Sequence, residues 1–208
     1  MRELILAMSV SLDGFVSGPK GEIQWIFNGD QEAIAWKVET LGNAGLHIMG
    51  SRVFQDMATF WPTAATPFAP PMNRIPKAVF SKQGAVVLKA AATVLRDAQA
   101  QTGGSQTGPH QPGAESWAEA YVASGELAQE IVKLKAEDGK PIVAHGGAAF
   151  ARSLIAQNLV DEYALMVYPI ALGKGMPIFS DLSSPRSLKL VRSKVFPRGT
   201  VAQIYRPV

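Results

Sequence analysis

Two adjacent glycines, Gly146 and Gly147, stand between a short apolar run at 142–144 and an Ala-rich segment that begins at Ala148. Glycine has no Cβ atom, so the phosphate groups of a ligand can approach the main chain closely at such a turn. The free N–H groups at the start of a following helix also favour negative charge. The pair therefore indicates a phosphate-binding turn between a strand and a helix. Two glycines that simply turn the strand into the helix are the alternative.

The composition limits the kinds of protein and site that are possible. With 208 residues, 47% of them hydrophobic, the chain is long enough for one globular domain with a large core. It contains no cysteine, which excludes disulfides, thiolate metal sites and a cysteine nucleophile. The three histidines, His47, His110 and His145, are scattered, so we expect no metal site.

Charge and hydropathy bear on location and partners. The net charge of +3 comes from basic residues interleaved with acidic ones, and binding to nucleic acid is not expected. No apolar run is long enough to span a membrane. The apolar run near the first residue is also too short for a signal peptide. We expect a soluble, cytoplasmic protein that does not bind membranes.

Hydrophobic patterns predict strands that alternate with helices through most of the chain. The predicted strands are 4–10, 45–49, 77–81, 118–123, 142–144, 161–170, 188–195 and 200–205. Helices are predicted from an N-cap at Asp30 to Leu41, from Gly50 to Phe60, over 125–138 and after Gly147. In the first helix, Ile34, Val38 and Leu41 share the apolar face. This order predicts a three-layer α/β sandwich with a mainly parallel central sheet and an antiparallel C-terminal strand pair.

One domain over 1–208 is expected. The stretch 99–116 is rich in Gly, Gln and Pro and has few residues to bury, which predicts a flexible insertion within that domain.

Several stretches, taken in order, carry a family resemblance. They are Ser11–Phe15, Ile48–Met57, Pro76–Lys82, His145–Gly147 and Leu159–Phe179. Together they resemble the dihydrofolate-reductase-like family, which includes the C-terminal reductase domain of bacterial riboflavin-biosynthesis deaminase–reductases. The resemblance runs from about Leu4 to Tyr205 and leaves out only the 99–116 stretch.

The resemblance implies that NADPH lies across the carboxyl ends of the strands, as ligands do in open α/β sheets. It implies that the peptide bond between Gly146 and Gly147 is cis. The cofactor-binding residues implied by the resemblance are Ala7, Ser11 and Gly14 near the nicotinamide, Gly50, Ser51, Arg52 and Val53 at a phosphate, Ser81 and Lys82 at the adenosine 2′-phosphate, and His145, Gly146, Gly147 and Ala148 around the pyrophosphate.

The chain departs from the family pattern at four of these positions. Dedicated pyrimidine reductases carry a Lys on the first strand and a Glu before the glycine pair, where this chain has Ala7 and His145. Family helices open Gly-Arg-x-Thr, but Ser51 takes the place of that Arg and Val53 the place of the Thr. The departures at Ala7 and His145 argue against the riboflavin intermediate as the physiological substrate, and Val53 in place of Thr removes a hydroxyl contact to the phosphate.

Hydride transfer to a heterocycle also needs a source of protons. Asp30 and Asp13 are the candidate catalytic acids; a plain helix N-cap at Asp30 and a simple turn at Asp13 are the alternatives. His145 can titrate near neutrality or be a packed histidine at a strand end. Four aromatic residues are candidates to line a site for a planar substrate: Trp25, Phe27, Phe54 and Trp61. The alternative is that each is an ordinary core residue.

The sequence thus predicts an NADPH-dependent oxidoreductase acting on a small planar N-heterocycle of the pterin or aminopyrimidine type. A non-catalytic nucleotide-binding protein that retains the reductase fold is the alternative. Homodimerisation through the C-terminal strands is an expectation from the resemblance.

Overall fold

A computed structural model of the chain describes residues 1–28, 30–100 and 111–208. The strands are β1 (Leu4–Ser11), β2 (Phe15–Ser17), β3 (Leu46–Gly50), β4 (Lys77–Phe80), β5 (Tyr121–Ala123), β6 (Ile142–Ala144), β7 (Glu162–Tyr168), β8 (Met176–Pro177), β9 (Leu188–Val195) and β10 (Val201–Pro207). The α-helices are α1 (Gln31–Gly42), α2 (Ser51–Phe60), α3 (Ala69–Arg74), α4 (Lys89–Ala100), α5 (Leu127–Ala136) and α6 (Ala148–Ala156). Short 3₁₀ segments cover Gln24–Asn28, Trp61–Thr63, Gly84–Leu88 and Ala114–Trp117.

Eight strands form one sheet in the order β5-β4-β3-β6-β1-β7-β10-β9, and β2 pairs with β8 separately. The six strands from β5 to β7 are all parallel. β10 is antiparallel to both β7 and β9. The predicted parallel sheet with an antiparallel C-terminal pair is therefore confirmed.

Helices cover both faces of the sheet. On one face, Ile131 of α5 and Leu154 of α6 pack with Leu4 and Leu6 of β1. On the other face, here called the α1 face, helices α1 to α4 pack in two further clusters, one around Phe54 and one around Ala33. Each strand of the parallel part is joined to the next one along the chain by a crossover that contains a helix, and these helices form the outer layers. The three-layer sandwich predicted from the sequence is confirmed.

The central strand β1 is more completely buried on one of its two faces than on the other. Leu4 and Leu6 are fully buried on the α6 side, as expected for alternating side chains in a strand. Ala7 and Ser9 point to the opposite face and remain partly exposed, although β1 lies between β6 and β7 in the middle of the sheet. The α1 face is therefore incompletely covered over the middle of β1, and this region is here called the β1 cleft.

Helix α1 begins where the sequence predicts, but a different face is buried. Its N-cap is Asp30, whose side chain accepts a hydrogen bond from the Ala33 N–H. Ala33 is the buried residue of the helix, whereas Ile34 and Val38 are only partly buried. The small Ala33 side chain lets the helix backbone approach the sheet, which turns the next inward position to Lys37, one turn later.

Residues 101–110 of the predicted insertion lie outside the described residues. Near its end, Ala114 and Trp117 are buried, and the Trp117 indole donates to the Asn73 side-chain oxygen over 2.9 Å. Ser116 donates to the Asn73 backbone carbonyl. This end of the stretch is packed against α3. Within the described ranges, no helix is long and apolar enough to cross a bilayer.

Candidate functional site

The parallel strands bring four predicted cofactor segments to one edge of the sheet, here called the carboxyl edge. Lys82 follows β4, Gly50 ends β3, Gly146 follows β6, and Ser11 ends β1. These strands are consecutive neighbours in the sheet. Three strand spacings separate β4 from β1, roughly 14 Å, so one extended ligand is needed to span them.

Two helices begin side by side at the carboxyl edge, and neither has a side-chain cap. The N-cap residues are Gly50 for α2 and Gly147 for α6, and neither forms a side-chain capping hydrogen bond. The Gly50 N–H donates to the Gly146 carbonyl over 3.3 Å, so the two helix starts are adjacent. The unpaired N–H groups and the dipoles of both helices favour an anion at this place.

The glycines at this junction lie against side chains of the two helices. The Gly146–Gly147 peptide bond is cis, as predicted. A Cβ atom on Gly147 would lie 3.1 Å from Val53 Cγ2, and one on Gly50 would lie 3.2 Å from Phe150 Cβ. Close packing of α2 and α6 therefore accounts for glycine at both positions. The absence of side chains there would also let a ligand's phosphate approach the main chain closely.

Two exposed cations flank the carboxyl edge. The Lys82 ammonium lies 3.1 Å from the Gly125 carbonyl and 3.5 Å from a Glu126 carboxylate oxygen. Arg52 is exposed in the first turn of α2 and takes part in none of the salt bridges of the described residues. Ser81, in contrast, is buried, and its hydroxyl accepts a hydrogen bond from the Gln83 N–H. The partly exposed residues beside the helix starts are Ser51, Val53 and Ala148.

Asp13 ties together the loops that follow β1 and β7. Its carboxylate accepts hydrogen bonds from the Ser11 hydroxyl at 2.6 Å and from the N–H groups of Leu172 and Gly173 at 3.1 and 2.7 Å. These bonds, that of Ser11 first, lower the pKa of Asp13 to about 2. An acid that is ionised throughout the neutral range anchors the loop beside Gly14 and is poorly suited to donate a proton.

Asp30 is likewise engaged by the main chain. One carboxylate oxygen accepts from the Ala33 N–H at 2.7 Å and the other from the Arg198 N–H at 3.1 Å. The bond from Ala33 is the main cause of a lowered pKa. The predicted N-cap is confirmed. Its two hydrogen bonds are enough to explain why an Asp stands at this position, and no role in proton transfer is needed.

The four predicted aromatic walls separate into different surroundings. Phe54 is fully buried in the core, with its ring 5.6 Å from that of Trp117, so it has no surface for a ligand and its assignment to a substrate site is wrong. Phe27 is 71% exposed. Trp25 stands edge-on to Tyr168 with the ring centroids 5.4 Å apart, and Trp61 is partly buried.

Trp25 and Tyr168 line a cavity of about 410 Å³ together with Pro169, Ile170, Arg198 and Thr200. It lies where β7 ends, at the carboxyl edge, which makes Trp25 the aromatic wall best supported by the geometry. A second cavity of about 330 Å³, which includes Pro76 and Lys77, lies at the opposite edge, where the parallel strands begin.

The β1 cleft contains a lysine that the sequence reasoning missed. Lys37 of α1 donates a hydrogen bond to the Ser9 hydroxyl over 3.2 Å, and its ammonium lies 5.8 Å from the centre of the Phe68 ring. Burial lowers the pKa of Lys37 to about 8. The available signal was its position four residues after Ala33, which places both side chains on one face of α1.

His145 belongs to the same face of the sheet. Its ring is 4.6 Å from that of the buried His47, and its Nε2 atom is buried without a hydrogen-bond partner among the described residues. Burial first, and then the positive charges of Lys77 and Lys37, lower the pKa of His145 to about 4. The side chain is therefore neutral near pH 7, and it lies among basic groups. In the part of the chain that the structure describes, no group of three or more His, Asp or Glu residues is placed to hold a metal ion.

Comparisons with known proteins agree with this architecture. The uncharacterized protein YyaP of Bacillus subtilis is 27% identical over 204 residues, which cover 98% of this chain and 94% of YyaP. The fold is similar to that of a diaminohydroxyphosphoribosylaminopyrimidine deaminase/5-amino-6-(5-phosphoribosylamino)uracil reductase of Thermotoga maritima, with a TM-score of 0.67 and 16% identity over all of this chain and 57% of that one. It is also similar to a dihydrofolate reductase of Enterococcus faecalis complexed with NADP(H), with a TM-score of 0.57 and 12% identity over 99% and 96% of the two chains.

The solved structures bear out the dihydrofolate-reductase-like architecture, and the family follows from the sequence match. The profile of the RibD C-terminal domain matches residues 2–202, which is nearly the whole chain. The chain therefore belongs to the RibD C-terminal domain family, the riboflavin-pathway type of reductase domain that its motifs resemble.

Proposed function

We propose that the protein is an NADPH-dependent reductase of a small planar N-heterocycle, of the pterin or aminopyrimidine type. The observation that carries the proposal is the pair of adjacent helix starts, at Gly50 and Gly147, that have no side-chain caps. Two such helix ends, together with the exposed cations Arg52 and Lys82, suit a ligand with several phosphate groups.

The residues along the carboxyl edge suggest an orientation for the dinucleotide. Lys82 is the cation for a 2′-phosphate, the two helix starts take the pyrophosphate, and the loop anchored by Asp13 leaves the nicotinamide over β1. The small side chain of Ala7 leaves room there for a flat ring. When bound, NADPH would supply the hydride.

The same proposal includes a homodimer formed through the C-terminal strands and a cytoplasmic location, both of which remain predictions. The edge strand β9 supports the dimer, since Leu190, Val191 and Val195 are 49%, 53% and 70% exposed on it. Light scattering should give twice the 22.2 kDa mass of the chain, and a mass of one chain at micromolar concentration would contradict this part of the proposal.

The alternative is a nucleotide-binding protein without turnover. It is favoured by the contacts of Asp13 and Asp30, because both candidate acids are occupied by main-chain N–H groups. The two functions share the carboxyl edge and differ only in chemistry.

Titration with NADPH, followed by nicotinamide fluorescence, tests both. Binding with oxidation of NADPH by a member of a panel of dihydropterins and aminopyrimidines supports the reductase. Binding without oxidation across the panel supports the alternative, and no binding at near-millimolar NADPH contradicts both.

Lys82→Ala tests the orientation of the cofactor. If Lys82 pairs with the 2′-phosphate, this variant should weaken NADPH by roughly 5- to 100-fold and leave NADH nearly unchanged, because NADH lacks that phosphate. Lys140→Ala is the matched control, since Lys140 is exposed and precedes β6 at the opposite edge of the sheet. Equal weakening of NADPH and NADH in the Lys82 variant would place the 2′-phosphate elsewhere.

A further inference from the structure

We propose that Lys37, with Ser9 and His145, forms a substrate subsite in the β1 cleft, and that this subsite takes a planar substrate carrying a negative charge on its ring or on an attached carboxylate. The inference rests on the proposed function, because it assigns the substrate side of the same site. It names a specificity-determining residue that lies outside the motifs which identify the family.

Helix α1 presents a cation to the sheet and no acid. Ala33 and Lys37 are four residues apart, and Ala33 is packed against Met166 and Ala202 of the sheet. One turn on, the Lys37 ammonium reaches the Ser9 hydroxyl at 3.2 Å, in the middle of β1. The acids at the start of the helix face elsewhere: Asp30 caps the helix, and the Glu32 side chain is 63% exposed near Lys194.

Among the described residues, no carboxylate pairs with the Lys37 ammonium. Lys37 takes part in none of the salt bridges of the described residues, and Ser9 is its one side-chain hydrogen-bond partner there. The positive charge of Lys37 also acts on the neutral His145 ring, which places the ammonium close to that side chain. A desolvated ammonium without a counter-ion binds an anion more strongly than a solvated surface lysine does.

Donor groups and aromatic rings surround this position. The Ser9 hydroxyl and the Lys37 ammonium can donate hydrogen bonds, and the neutral His145 ring lies on the same face of the sheet. The Phe68 ring lies beside Lys37 and 6.4 Å from the Trp61 ring, and Trp25 with Tyr168 lies at the end of β7. The Phe68 ring gives a flat apolar wall beside the Lys37 ammonium, and this combination fits a planar anion.

Ser9 and Lys37 are both partly exposed, so a ligand can reach them. Since Ala7 is the place proposed for the nicotinamide, a ring bound over Ser9, two residues further along the same face of β1, would lie next to it. A protonated heterocycle would meet Lys37 as a like charge and is disfavoured there.

Two pyrimidines of similar size provide the test, one that carries a negative charge and one that can carry a positive charge. Uracil-6-carboxylate is the anionic probe, and 2,4-diaminopyrimidine is the donor-rich, protonatable probe. Binding of each is measured by calorimetry at pH 7, with the protein alone and with the protein saturated with NADP⁺. We expect wild-type protein to bind the carboxylate at least ten-fold more tightly than the diamine.

Variants identify the group responsible. Lys37→Met should weaken the carboxylate by about 10- to 100-fold, Lys37→Arg should restore most of the affinity, and Lys37→Glu should reverse the preference between the probes. Lys140→Met is the matched control and should bind both probes as the wild type does. Thermal unfolding of each variant checks that the fold is kept, and NADPH affinity should stay within a few-fold of wild type in all four.

The outcomes separate this inference from the proposed function. Three results with normal NADPH binding would contradict the subsite and leave the proposed cofactor site at the carboxyl edge unaffected. They are that neither probe binds, that the diamine is preferred, or that Lys37→Met leaves the affinity for the carboxylate unchanged. If the carboxylate binds through Lys37 in a protein that does not bind NADPH, the subsite stands as an anion site and the reductase proposal fails.

Discussion

The carboxylate of Asp30 accepts hydrogen bonds from two main-chain N–H groups, one in the first turn of α1 and one at Arg198, 168 residues away. The first bond is that of an N-cap, which Asp and Asn form about equally well. A proton donor, in contrast, requires a group that is protonated near the working pH, and the pKa of Asp30 is lowered from its ordinary value. The two roles predict different results for the same substitution.

We expect Asp30→Asn to keep most of the thermal stability and to keep any turnover within a few-fold of wild type, because the amide oxygen still caps the helix and only the longer bond from the Arg198 N–H is lost. Asp30→Ala should lower the melting temperature by a few degrees, since it removes the cap. Asp138→Ala, at an exposed position after α5, is the control. A loss of kcat by 100-fold or more in Asp30→Asn, with NADPH affinity and stability intact, would show that Asp30 is the catalytic acid after all.

Only some of the hydrogen-bond partners of Asp13 can be predicted from the local sequence. The turn is recognisable from Ser11 to Gly14, and the bond from Ser11 lies within it. The other partners, Leu172 and Gly173, are about 160 residues away, so no spacing pattern reveals them. These distant bonds make Asp13 a link between two loops of the carboxyl edge, a role that depends on the fold.

At the junction of helices α2 and α6, the presence of glycine can be explained either by helix packing or by ligand binding. The backbone φ of Gly147 is −61°, which any residue adopts, so the contact of a new Cβ with Val53 at 3.1 Å is what makes alanine unfavourable there. Removing the Val53 methyl groups would relieve that contact. It would leave an added methyl group on Gly147 close to a bound phosphate.

A double substitution therefore separates the two explanations. Gly147→Ala should destabilise the protein by about 1–2 kcal/mol through overpacking and should weaken NADPH. In Gly147→Ala with Val53→Ala, stability should be largely recovered while NADPH affinity stays low. The control is Gly42→Ala at the end of α1, where a new Cβ meets nothing within 4 Å and stability should not fall.

Recovery of both properties in the double variant would contradict the phosphate site. The glycines would then serve only to let α2 and α6 begin close together. Thermal unfolding and fluorescence titration on the same four proteins give the two readings.

Considered as a whole molecule, the fold was largely predictable and the β1 cleft was not. Local patterns such as the apolar run at Leu4–Val10 and the glycine pair predicted the strands, the helices and the layered class. Lys37 was missed because Ile34, Val38 and Leu41 make a plausible apolar face, and only the sheet decides that Ala33 is the buried residue instead. Phe54 was misassigned because a core aromatic and a pocket wall have the same sequence pattern.

The most unusual property of the assembled sheet is a set of basic side chains buried on the α1 face. Burial lowers the pKa of Lys77 to about 7 and that of Lys37 to about 8, and it lowers the pKa of His47 well below its ordinary value. Lys77 is 2% exposed and donates to the Asn73 carbonyl over 2.9 Å. The folded protein therefore binds fewer protons than the unfolded chain over a wide pH range.

This difference predicts that stability increases from pH 7 to pH 9. In that range the unfolded chain keeps the Lys77 proton, since the ordinary pKa is 10.5, while folded Lys77, with a pKa of about 7, loses it as the pH rises above 7. The state that binds more protons is disfavoured as pH rises, so the free energy of unfolding grows by about 1.4 kcal/mol per pH unit for each such group. Below pH 6.5, the same argument applied to His145 predicts a loss of stability as the pH falls towards 4.

Urea unfolding at pH 7, 8 and 9 measures the effect. Wild-type protein should gain roughly 2 kcal/mol or more over this range, Lys77→Met should gain clearly less, and Lys77→Met with Lys37→Met should be nearly flat. Lys140→Met, which removes an exposed lysine, should behave as the wild type. A wild-type stability that stays constant or falls would mean that Lys77 keeps its proton in the fold, held by Asn73 and Ser116, and that the α1 face carries one more positive charge at neutral pH than we infer.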